Sequence, residues 1–239
     1  MILMYHNIGV ANGFNTVSHK NFKDQLAFIK SNFHVVSLSD YIQQLDDTNY
    51  AGCVALTFDD GYVSYRELAL PELGKNDMPS TVYIPVNYIG KTNTWDDGKI
   101  RIMSEQDIHN VLQSSFVTLG GHSLSHRRLK SLAPAEIHDE IHYCKIYLEQ
   151  TFHKKAEHFS YPYGQKKDYT PHCFKALSAS GYISAVSTNY SRYNSTKNIF
   201  ELNRIEIEPS DDMANFRKKL LHNLHPKLVK QTIKNFLFK

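Results

Sequence analysis

The alternation of short apolar segments with amphipathic segments constrains the fold of this chain more than any other feature. Seven apolar segments predict strands over residues 2–6, 53–58, 80–86, 116–122, 158–162, 182–187 and 203–207. Apolar residues at helical spacing predict helices over 18–33, from Ser64 to about Leu73, from Ser104 and over 134–152. Strands alternating with helices predict an α/β fold whose parallel strands are covered by helices, as an open sheet or a closed barrel. In both forms, functional residues gather at the carboxyl ends of the strands.

Composition narrows the class of protein. A chain of 239 residues with 41% hydrophobic residues can bury one sizeable core. The net charge of +3 is small and dispersed, so we expect no nucleic acid partner. Cys53, Cys144 and Cys173 form no C-x-x-C pair, which predicts reduced thiols. The opening MILMYHNIG shows no pattern of a secretory signal and no stretch is long enough to span a bilayer, so we expect a cytoplasmic protein.

Two adjacent carboxylates, Asp59 and Asp60, directly follow the apolar segment 53–58, and Gly61 comes after them. Neighbouring residues that leave a strand point in different directions, so one carboxylate can bind a cation while the other faces a water molecule. Two ionised carboxylates in a partly buried site need a cation or a shared proton. The alternative is a polar turn, because Asp-Asp-Gly is ordinary turn chemistry.

Two histidines, His122 and His126, follow another predicted strand in the segment GGHSLSH. On a helical turn, a spacing of four residues would place both imidazoles on one face, as in two-histidine metal sites. Together with one carboxylate they would make three ligands and leave positions open for water and substrate. Unrelated surface histidines are the alternative, since the chain has thirteen histidines.

Three motifs in this order resemble those of a known family. TFDDG (57–61), HSLSH (122–126) and YPYG (161–164) are similar to the first three motifs of the polysaccharide deacetylases, carbohydrate esterase family 4. The resemblance extends over about residues 1–207. It implies a distorted (β/α) barrel with parallel strands covered by helices, and it implies a metal-dependent N-deacetylase.

The resemblance also implies roles for individual residues. Asp59 would be the general base, and Asp60, His122 and His126 would hold a divalent metal ion, most commonly Zn²⁺. Tyr163 would donate its backbone N–H to the oxyanion. This chemistry is consistent with the residue types, because a divalent ion polarises an amide carbonyl and activates water while a nearby carboxylate removes the proton. Other first-row divalent ions suit the same three ligands.

The chain departs from the family pattern where the proton donor is concerned. Many members of the family have a late histidine motif that supplies this proton. Many also have an arginine before the proline of the third motif, where this chain has Ser160 and Tyr161. The late His222 and His225 lie in a basic tail, and we expect them not to reach the site. His6, in MYHNIG, resembles the early histidine of the poly-N-acetylglucosamine deacetylase branch and is the predicted general acid. The alternative for His6 is a histidine that caps a strand and bonds to the backbone.

Arg204 in the segment NRIEI also resembles that branch. We predict that it orients Asp59 or balances its charge. An ordinary ion pair with Glu206 or Glu208 is the alternative, because such pairs are common between neighbouring charged residues.

The third-motif loop SYPYG, with Tyr161 and Pro162, would form one wall of a sugar-binding groove. Flat amphipathic rings suit carbohydrate faces, so Tyr62, Tyr161 and Trp95 are further candidate sugar contacts. Core packing is the alternative for the tyrosines, and a position in a long loop at the rim of the groove is the alternative for Trp95.

The tail differs in kind from the predicted catalytic domain, 1–212. Residues 213–239 interleave lysines and arginine with apolar residues and contain no acidic residue, which predicts peripheral contact with an anionic membrane surface. A closing helix packed on the barrel, with its lysines in water, is the alternative for the first half. We therefore expect an enzyme at the inner face of the membrane. Its partner would be an N-acetylated sugar, an oligosaccharide, or a lipid- or nucleotide-linked glycan in surface-polysaccharide biosynthesis.

Two other functions compete with deacetylation of a sugar. One is hydrolysis of a small non-peptide amide or a cyclic imide, since related sites perform it. The other is carbohydrate binding with little or no turnover, because the arginine and the late histidine of the commonest pattern are missing.

Overall fold

The structure is a computed structural model that describes residues 1–10, 15–45, 52–96 and 99–221. In these residues there are ten strands: β1 (Ile2–Tyr5), β2 (Asn7–Gly9), β3 (Thr16–Ser18), β4 (His34–Val35), β5 (Cys53–Phe58), β6 (Ser80–Ile84), β7 (Val117–Gly121), β8 (His158–Ser160), β9 (Ser184–Tyr190) and β10 (Leu202–Glu206). Seven α-helices accompany them: α1 (His19–Asn32), α2 (Leu38–Gln43), α3 (Leu70–Lys75), α4 (Glu105–Val111), α5 (Pro134–Phe152), α6 (Pro171–Ala179) and α7 (Met213–Leu221). A π-helical turn, Tyr65–Ala69, leads into α3.

Seven of the strands close into a barrel in which every neighbouring pair is parallel. The order around the barrel is β1, β10, β9, β8, β7, β6 and β5, and β5 pairs again with β1. β4 extends the sheet beside β5, and β2 and β3 form a separate parallel pair. The predicted α/β fold is confirmed, and the sheet is a closed barrel rather than an open sheet.

The seven barrel strands correspond to the seven apolar segments of the sequence. β5 has the predicted bounds, whereas β9 continues to Tyr190, beyond the predicted end at residue 187. The pattern missed β2, β3 and β4, because two or three residues are too few to show a period. It also missed α2 and α6. α2 has a local signal in Ser37, whose hydroxyl accepts a hydrogen bond from the backbone N–H of Asp40 at 3.1 Å.

The helices begin and end where the sequence supplies capping residues. Ser18 caps α1 by accepting from the backbone N–H of Asn21 at 3.1 Å. Ser104 and Asp107 form a reciprocal capping box at α4, as the predicted helix start at Ser104 requires. α5 has the predicted bounds: Pro134 opens it, where the missing N–H costs nothing, and the left-handed His153 follows its last residue.

The barrel strands are enclosed, as parallel strands under a layer of helices must be. Every residue of β1 and β5 is buried. Cys53, Cys144 and Cys173 are buried free thiols, in agreement with the prediction of reduced cysteines. Among the helices within the described ranges, none combines the length and the apolar character needed to cross a membrane.

The described part of the tail is α7, which packs against the barrel domain. Phe216 is buried, and its ring meets that of Phe28 on α1 at a centroid distance of 6.0 Å. Lys219 is also buried, and its Nζ donates to the carboxylates of Glu208, at 2.9 Å, and Asp211. The closing-helix alternative fits α7, but its expectation that the lysines lie in water is wrong for Lys219, which is paired with two carboxylates. Residues 222–239, which include His222, His225 and the rest of the tail, lie outside the described residues.

The glycines that end β7 allow a large ring to pack against the strand. A Cβ atom on Gly120 would lie 2.4 Å from Cδ1 of Tyr83 on the neighbouring strand β6, well inside van der Waals contact. Tyr83 is fully buried, so its ring has no room to move away. The barrel therefore requires glycine at position 120, because a side chain there would collide with the ring of Tyr83.

We expect Gly120→Ala to lower the free energy of unfolding by about 1–3 kcal/mol, because it overpacks this contact. Gly74→Ala is the matched control: Gly74 lies in α3, and a Cβ atom there meets nothing within 4 Å. That substitution should raise the free energy of unfolding by up to about 1 kcal/mol. Urea unfolding measures both, and the same sign for the two variants would contradict the packing argument.

Candidate active site

A cavity of about 620 Å³ opens at the carboxyl ends of the barrel strands. The residues that line it follow or end different strands, and they include His6, Asp59, His122, Tyr161, Asn189 and Glu206. Parallel strands bring their carboxyl ends to one face of a barrel, so segments distant in sequence meet here.

Asp60, His122 and His126 form a compact buried cluster that lines this cavity. The Asp60 Oδ1 atom lies 3.3 Å from Nε2 of His122 and 3.3 Å from Nε2 of His126. The three candidate ligand atoms all lie within 4.8 Å of one another. Two imidazoles and one carboxylate in this arrangement fit a divalent metal ion and leave coordination positions open. The structure thus brings together the three residues predicted as metal ligands.

The loops that carry the cluster have unusual backbone conformations. Asp60, Ser123, His126 and Tyr163 all have left-handed φ values, between 54° and 68°. Such conformations cost free energy for residues other than glycine and concentrate at functional sites. The expectation that His122 and His126 share a helical turn is wrong, because the segment between them is an irregular loop. The Ser123 hydroxyl stabilises this loop by accepting from the backbone N–H of His126 at 3.0 Å.

The two imidazoles are oriented by different contacts. His122 Nδ1 lies 2.7 Å from the carbonyl oxygen of Ser160. A carbonyl only accepts, so Nδ1 carries a hydrogen, and Nε2 is the nitrogen that faces Asp60. His126 instead stacks on Trp95, with ring centroids 3.7 Å apart and planes 20° apart. Both Nε2 atoms therefore point toward the same carboxylate oxygen, as ligands of one ion would.

Asp59 is held by the buried guanidinium of Arg204. Nη1 and Nη2 donate to the two carboxylate oxygens at 2.7 Å each, which makes the pair bidentate. Ser160 Oγ joins them, donating to Asp59 at 3.0 Å and accepting from Arg204 at 3.0 Å. Of the two alternatives for Arg204, the contact with Asp59 is the one observed, and Glu208 pairs with Lys219.

Both carboxylates are ionised at neutral pH. Burial raises the pKa of Asp59, but the charge and hydrogen bonds of Arg204 outweigh burial and leave that pKa below its ordinary value. Burial likewise raises the pKa of Asp60, and hydrogen bonds from His122 and His126 hold it well below its ordinary value. The two neighbouring charges are thus stabilised by different partners, and no shared proton is needed.

His6 and Tyr163 lie on the wall of the same cavity. His6 follows β1 and is half-buried, and its charge is one of the smaller contributions that lower the pKa of Asp59. The ring of Tyr163 contacts that of His126 at a centroid distance of 5.2 Å. Thr188 fixes the Tyr163 backbone by donating its hydroxyl to the Tyr163 carbonyl at 2.9 Å. The structure therefore brings both candidate catalytic residues to the cavity that contains the cluster.

Tyr62 and Tyr161 are almost completely buried, although Tyr161 belongs to the lining of the cavity. Tyr62 is 2% exposed, and its hydroxyl accepts from the Asn93 amide at 3.0 Å. Tyr161 is 1% exposed, stacks on Tyr169 at 4.3 Å and donates its hydroxyl to the Phe200 carbonyl at 2.8 Å. The structure favours core packing over sugar contact for both tyrosines, because their rings are covered by other side chains.

The other two candidate sugar contacts lie in different surroundings. Trp95 belongs to the loop between β6 and α4, lines the cavity and meets Tyr88 edge-on at 4.9 Å. Its ring is partly covered by the His126 ring. A position in a loop at the rim of the groove, the alternative from the sequence, does not predict this contact. Pro162 is buried, and its carbonyl accepts from the Gly164 backbone N–H at 2.7 Å. Pro162 thus shapes the loop from within.

Sequence reasoning missed several residues of the site. Ser160 contacts both His122 and Asp59, whereas the sequence shows it only as a departure from the family pattern. Arg128 forms an ion pair with the buried Asp168 and lies 3.7 Å over the ring of Tyr163. Their positions in the sequence could have indicated a role at the site, because Arg128 closely follows the second motif and Asp168 follows the third.

The fold and the cluster define an α/β-barrel protein with a candidate metal centre at the carboxyl ends of its strands. The family model described as polysaccharide deacetylase matches residues 46–182, which is more than half of the 239 residues. The chain therefore belongs to the polysaccharide deacetylase family, as its three motifs predicted.

Individual proteins resemble the chain over most of its length. YxkH of Bacillus subtilis, named for the polysaccharide deacetylase family, is 26% identical over 211 residues, covering 87% of this chain and 71% of that protein. The poly-β-1,6-N-acetyl-D-glucosamine N-deacetylase of Staphylococcus epidermidis is 22% identical, covering 64% of this chain and 55% of that protein. The deacetylase PplD of Streptococcus pyogenes, solved in complex with acetate, has the same fold: its TM-score is 0.77 at 24% identity, over 94% of this chain and 97% of PplD.

The pairing of Asp59 with Arg204 predicts a strongly coupled pair of substitutions. Arg204→Gln leaves a buried carboxylate without its partner, so we expect the free energy of unfolding to fall by about 3–5 kcal/mol at neutral pH. The double variant Asp59→Asn, Arg204→Gln should recover part of this loss, because neither charge remains buried. Urea unfolding of the two single variants and the double variant gives the coupling.

The pH dependence provides a second measurement on the same variants. Without Arg204, burial raises the pKa of Asp59 above its value in the unfolded chain. The destabilisation is then full at neutral pH and shrinks as the pH falls and Asp59 takes up a proton. Two results together would show that the pair does not act through charge. The free energy of unfolding lost in Arg204→Gln would be the same at about pH 7 and about pH 5, and the double variant would recover none of it.

Proposed function

We propose that this protein is a metal-dependent hydrolase that removes the acetyl group from an N-acetylated sugar or glycan. The observation that carries the proposal is the convergence of Asp60, His122 and His126 in the same cavity as a second ionised carboxylate, Asp59. Membership of the polysaccharide deacetylase family supports this reaction. The acetate bound to the structurally similar PplD agrees with release of an acetyl group.

Asp60, His122 and His126 would hold the metal ion, with zinc as the first candidate because it favours nitrogen and carboxylate ligands in open three-residue sites. When bound, such an ion polarises an amide carbonyl and lowers the pKa of water. The chain's contribution is to orient the donors beforehand. The Ser160 carbonyl fixes the tautomer of His122, and Trp95 fixes the ring of His126.

Asp59 is the proposed general base. Arg204 keeps its carboxylate ionised and, with Ser160, fixes its orientation, so it can accept the proton of the attacking water. The backbone N–H of Tyr163 is the proposed donor to the oxyanion that develops on the amide oxygen. His6 is the proposed donor of the proton that the leaving amine needs, because imidazole carries a proton readily near neutral pH and His6 shares the cavity with Asp59.

The proposed substrate is an N-acetylated hexosamine within a glycan. The named activity of the Staphylococcus epidermidis relative, deacetylation of poly-β-1,6-N-acetyl-D-glucosamine, supports this class. Trp95, which lines the cavity, remains a proposed contact for a sugar ring, and Pro162 a support of the cavity wall. Such a reaction belongs in the biosynthesis of surface polysaccharides.

Three substitutions separate the proposed roles. Acetate release from N-acetylglucosamine oligomers and metal content are measured for each purified variant. Asp59→Asn should lower kcat by about 10²–10⁴-fold while the metal stays bound, because Asp59 is the proposed base and not one of the three proposed metal ligands. His122→Ala should lose the metal together with the activity. His6→Ala should lower kcat and keep the metal.

The exposed Asp139 on α5 offers a matched control, since Asp139→Asn makes the same chemical change away from the cavity and should leave turnover intact. Full activity in Asp59→Asn would refute the proposed base, and full activity in His6→Ala would refute the proposed acid. Wild-type protein that binds metal and sugar but releases no acetate would favour the carbohydrate-binding alternative. Small amides and cyclic imides, added as further substrates, test the remaining alternative.

The composition of residues 213–239 supports a peripheral contact with the inner face of an anionic membrane, where a lipid-linked glycan would be within reach. We expect the full chain to co-sediment with anionic vesicles and a chain lacking residues 226–239 to remain in the supernatant. Neutral vesicles are the control, because the lysines of this segment need an anionic surface. Equal sedimentation of both chains would remove the membrane contact from the proposal.

A further inference from the structure

Two adjacent lysines, Lys166 and Lys167, line the same cavity as Asp59 and Asp60. They lie in a turn, residues 165–168, of the loop that follows β8, and both are exposed. The catalytic proposal gives them no role. Because they line the cavity that also contains the candidate metal ligands, a substrate that fills the cavity would lie close to both lysines.

The turn that carries the two lysines is well anchored. The backbone N–H of Asp168 donates to the carbonyl of Gln165 at 2.7 Å, and the backbone N–H of Gln165 donates to the Asp168 carboxylate at 3.0 Å. The backbone N–H of Lys130 donates to the Asp168 carbonyl at 2.9 Å, which ties the turn to the second-motif loop. A turn fixed in this way holds the backbone of Lys166 and Lys167 at a defined place, so binding a ligand does not have to order the turn itself.

The acidic groups around the cavity are already engaged elsewhere. Asp59 pairs with Arg204, and the buried Asp168 pairs with Arg128. Asp60 faces the imidazoles of His122 and His126, and Glu206, the remaining carboxylate on the wall, has contacts of its own. Within the part of the chain that the structure describes, neither Lys166 nor Lys167 forms an ion pair. The lysines therefore leave an uncompensated positive charge at the cavity wall.

We propose that Lys166 and Lys167 bind a phosphate group attached to the N-acetylated sugar, so that the substrate is a phosphorylated or phosphodiester-linked glycan. This inference rests on the proposed deacetylase function and names its substrate class. Two neighbouring ammonium groups suit a phosphate, which offers several acceptor oxygens and up to two negative charges. Because the phosphate binds outside the Asp60, His122 and His126 cluster, it selects the substrate rather than taking part in the hydrolysis.

The test compares three substrates that differ in the anionic group: N,N′-diacetylchitobiose, its 1-phosphate, and UDP-N-acetylglucosamine. For the wild-type protein we expect kcat/KM for the sugar 1-phosphate to exceed that for the neutral disaccharide by about tenfold, a preference that added salt weakens. Lys166→Gln, Lys167→Gln should remove most of this ratio. The result with UDP-N-acetylglucosamine shows whether a nucleotide diphosphate is also accepted.

The chain offers a matched control in a second lysine pair, Lys154 and Lys155, which is exposed just beyond α5 and does not line the cavity. Lys154→Gln, Lys155→Gln changes the net charge equally and should leave the substrate ratio unchanged. The inference is overturned if kcat/KM is equal for neutral and phosphorylated sugars, or if the preference for the phosphorylated sugar survives in Lys166→Gln, Lys167→Gln. In both cases the release of acetate would still support the deacetylase function.

Failure of the deacetylase function is recognised separately, by the absence of acetate from all three substrates. In that case, calorimetric titration with N,N′-diacetylchitobiose 1-phosphate decides whether the lysines bind phosphate. Binding about tenfold weaker in Lys166→Gln, Lys167→Gln than in the control pair supports the phosphate site. Equal binding by the two variants overturns it.

Discussion

The buried ion pair between Arg204 and Asp59 is the interaction on which the site depends most. Asp59 follows β5, Arg204 lies on β10, and Ser160 at the end of β8 bonds to both. A carboxylate that is 3% exposed stays ionised only with such a partner. The barrel supplies the partner by closing, since β1 lies between β5 and β10 and brings their carboxyl ends to one face. The catalytic proposal thus depends directly on closure of the sheet.

Adjacent carboxylates can serve different purposes here because the backbone turns between them. Asp59 continues the direction of β5 and meets Arg204, whereas the left-handed Asp60, with φ of 68°, turns toward the two imidazoles. Gly61 is also left-handed, and a Cβ atom there would lie 2.6 Å from Ile84 Cδ1. A polar turn alone would need none of these contacts, so the Asp-Asp-Gly sequence is explained by the site that surrounds it.

Local patterns revealed the elements and the motifs, while long-range contacts decided the rest. Apolar segments located all seven barrel strands, and motif spacing located Asp60, His122 and His126. Periodicity left the choice between an open sheet and a barrel undecided, because the pairing of β1 with β5 joins residues far apart in sequence. Spacing of four residues also predicted a helical turn where the backbone is left-handed. The burial of Tyr62 is likewise a consequence of packing that no local pattern contains.

The loop after β8 connects the candidate metal centre to the outer wall of the cavity. At its start, the Ser160 carbonyl orients His122, and at its end Asp168 fixes the turn that presents the two lysines. Tyr163, between them, contacts both His126 and Arg128. A displacement of this loop would therefore change the orientation of the imidazoles and the position of the positive charge together. In the proposed function, one segment would therefore couple substrate selection to the chemistry, and Arg204 on β10 would support that chemistry by holding the Asp59 carboxylate.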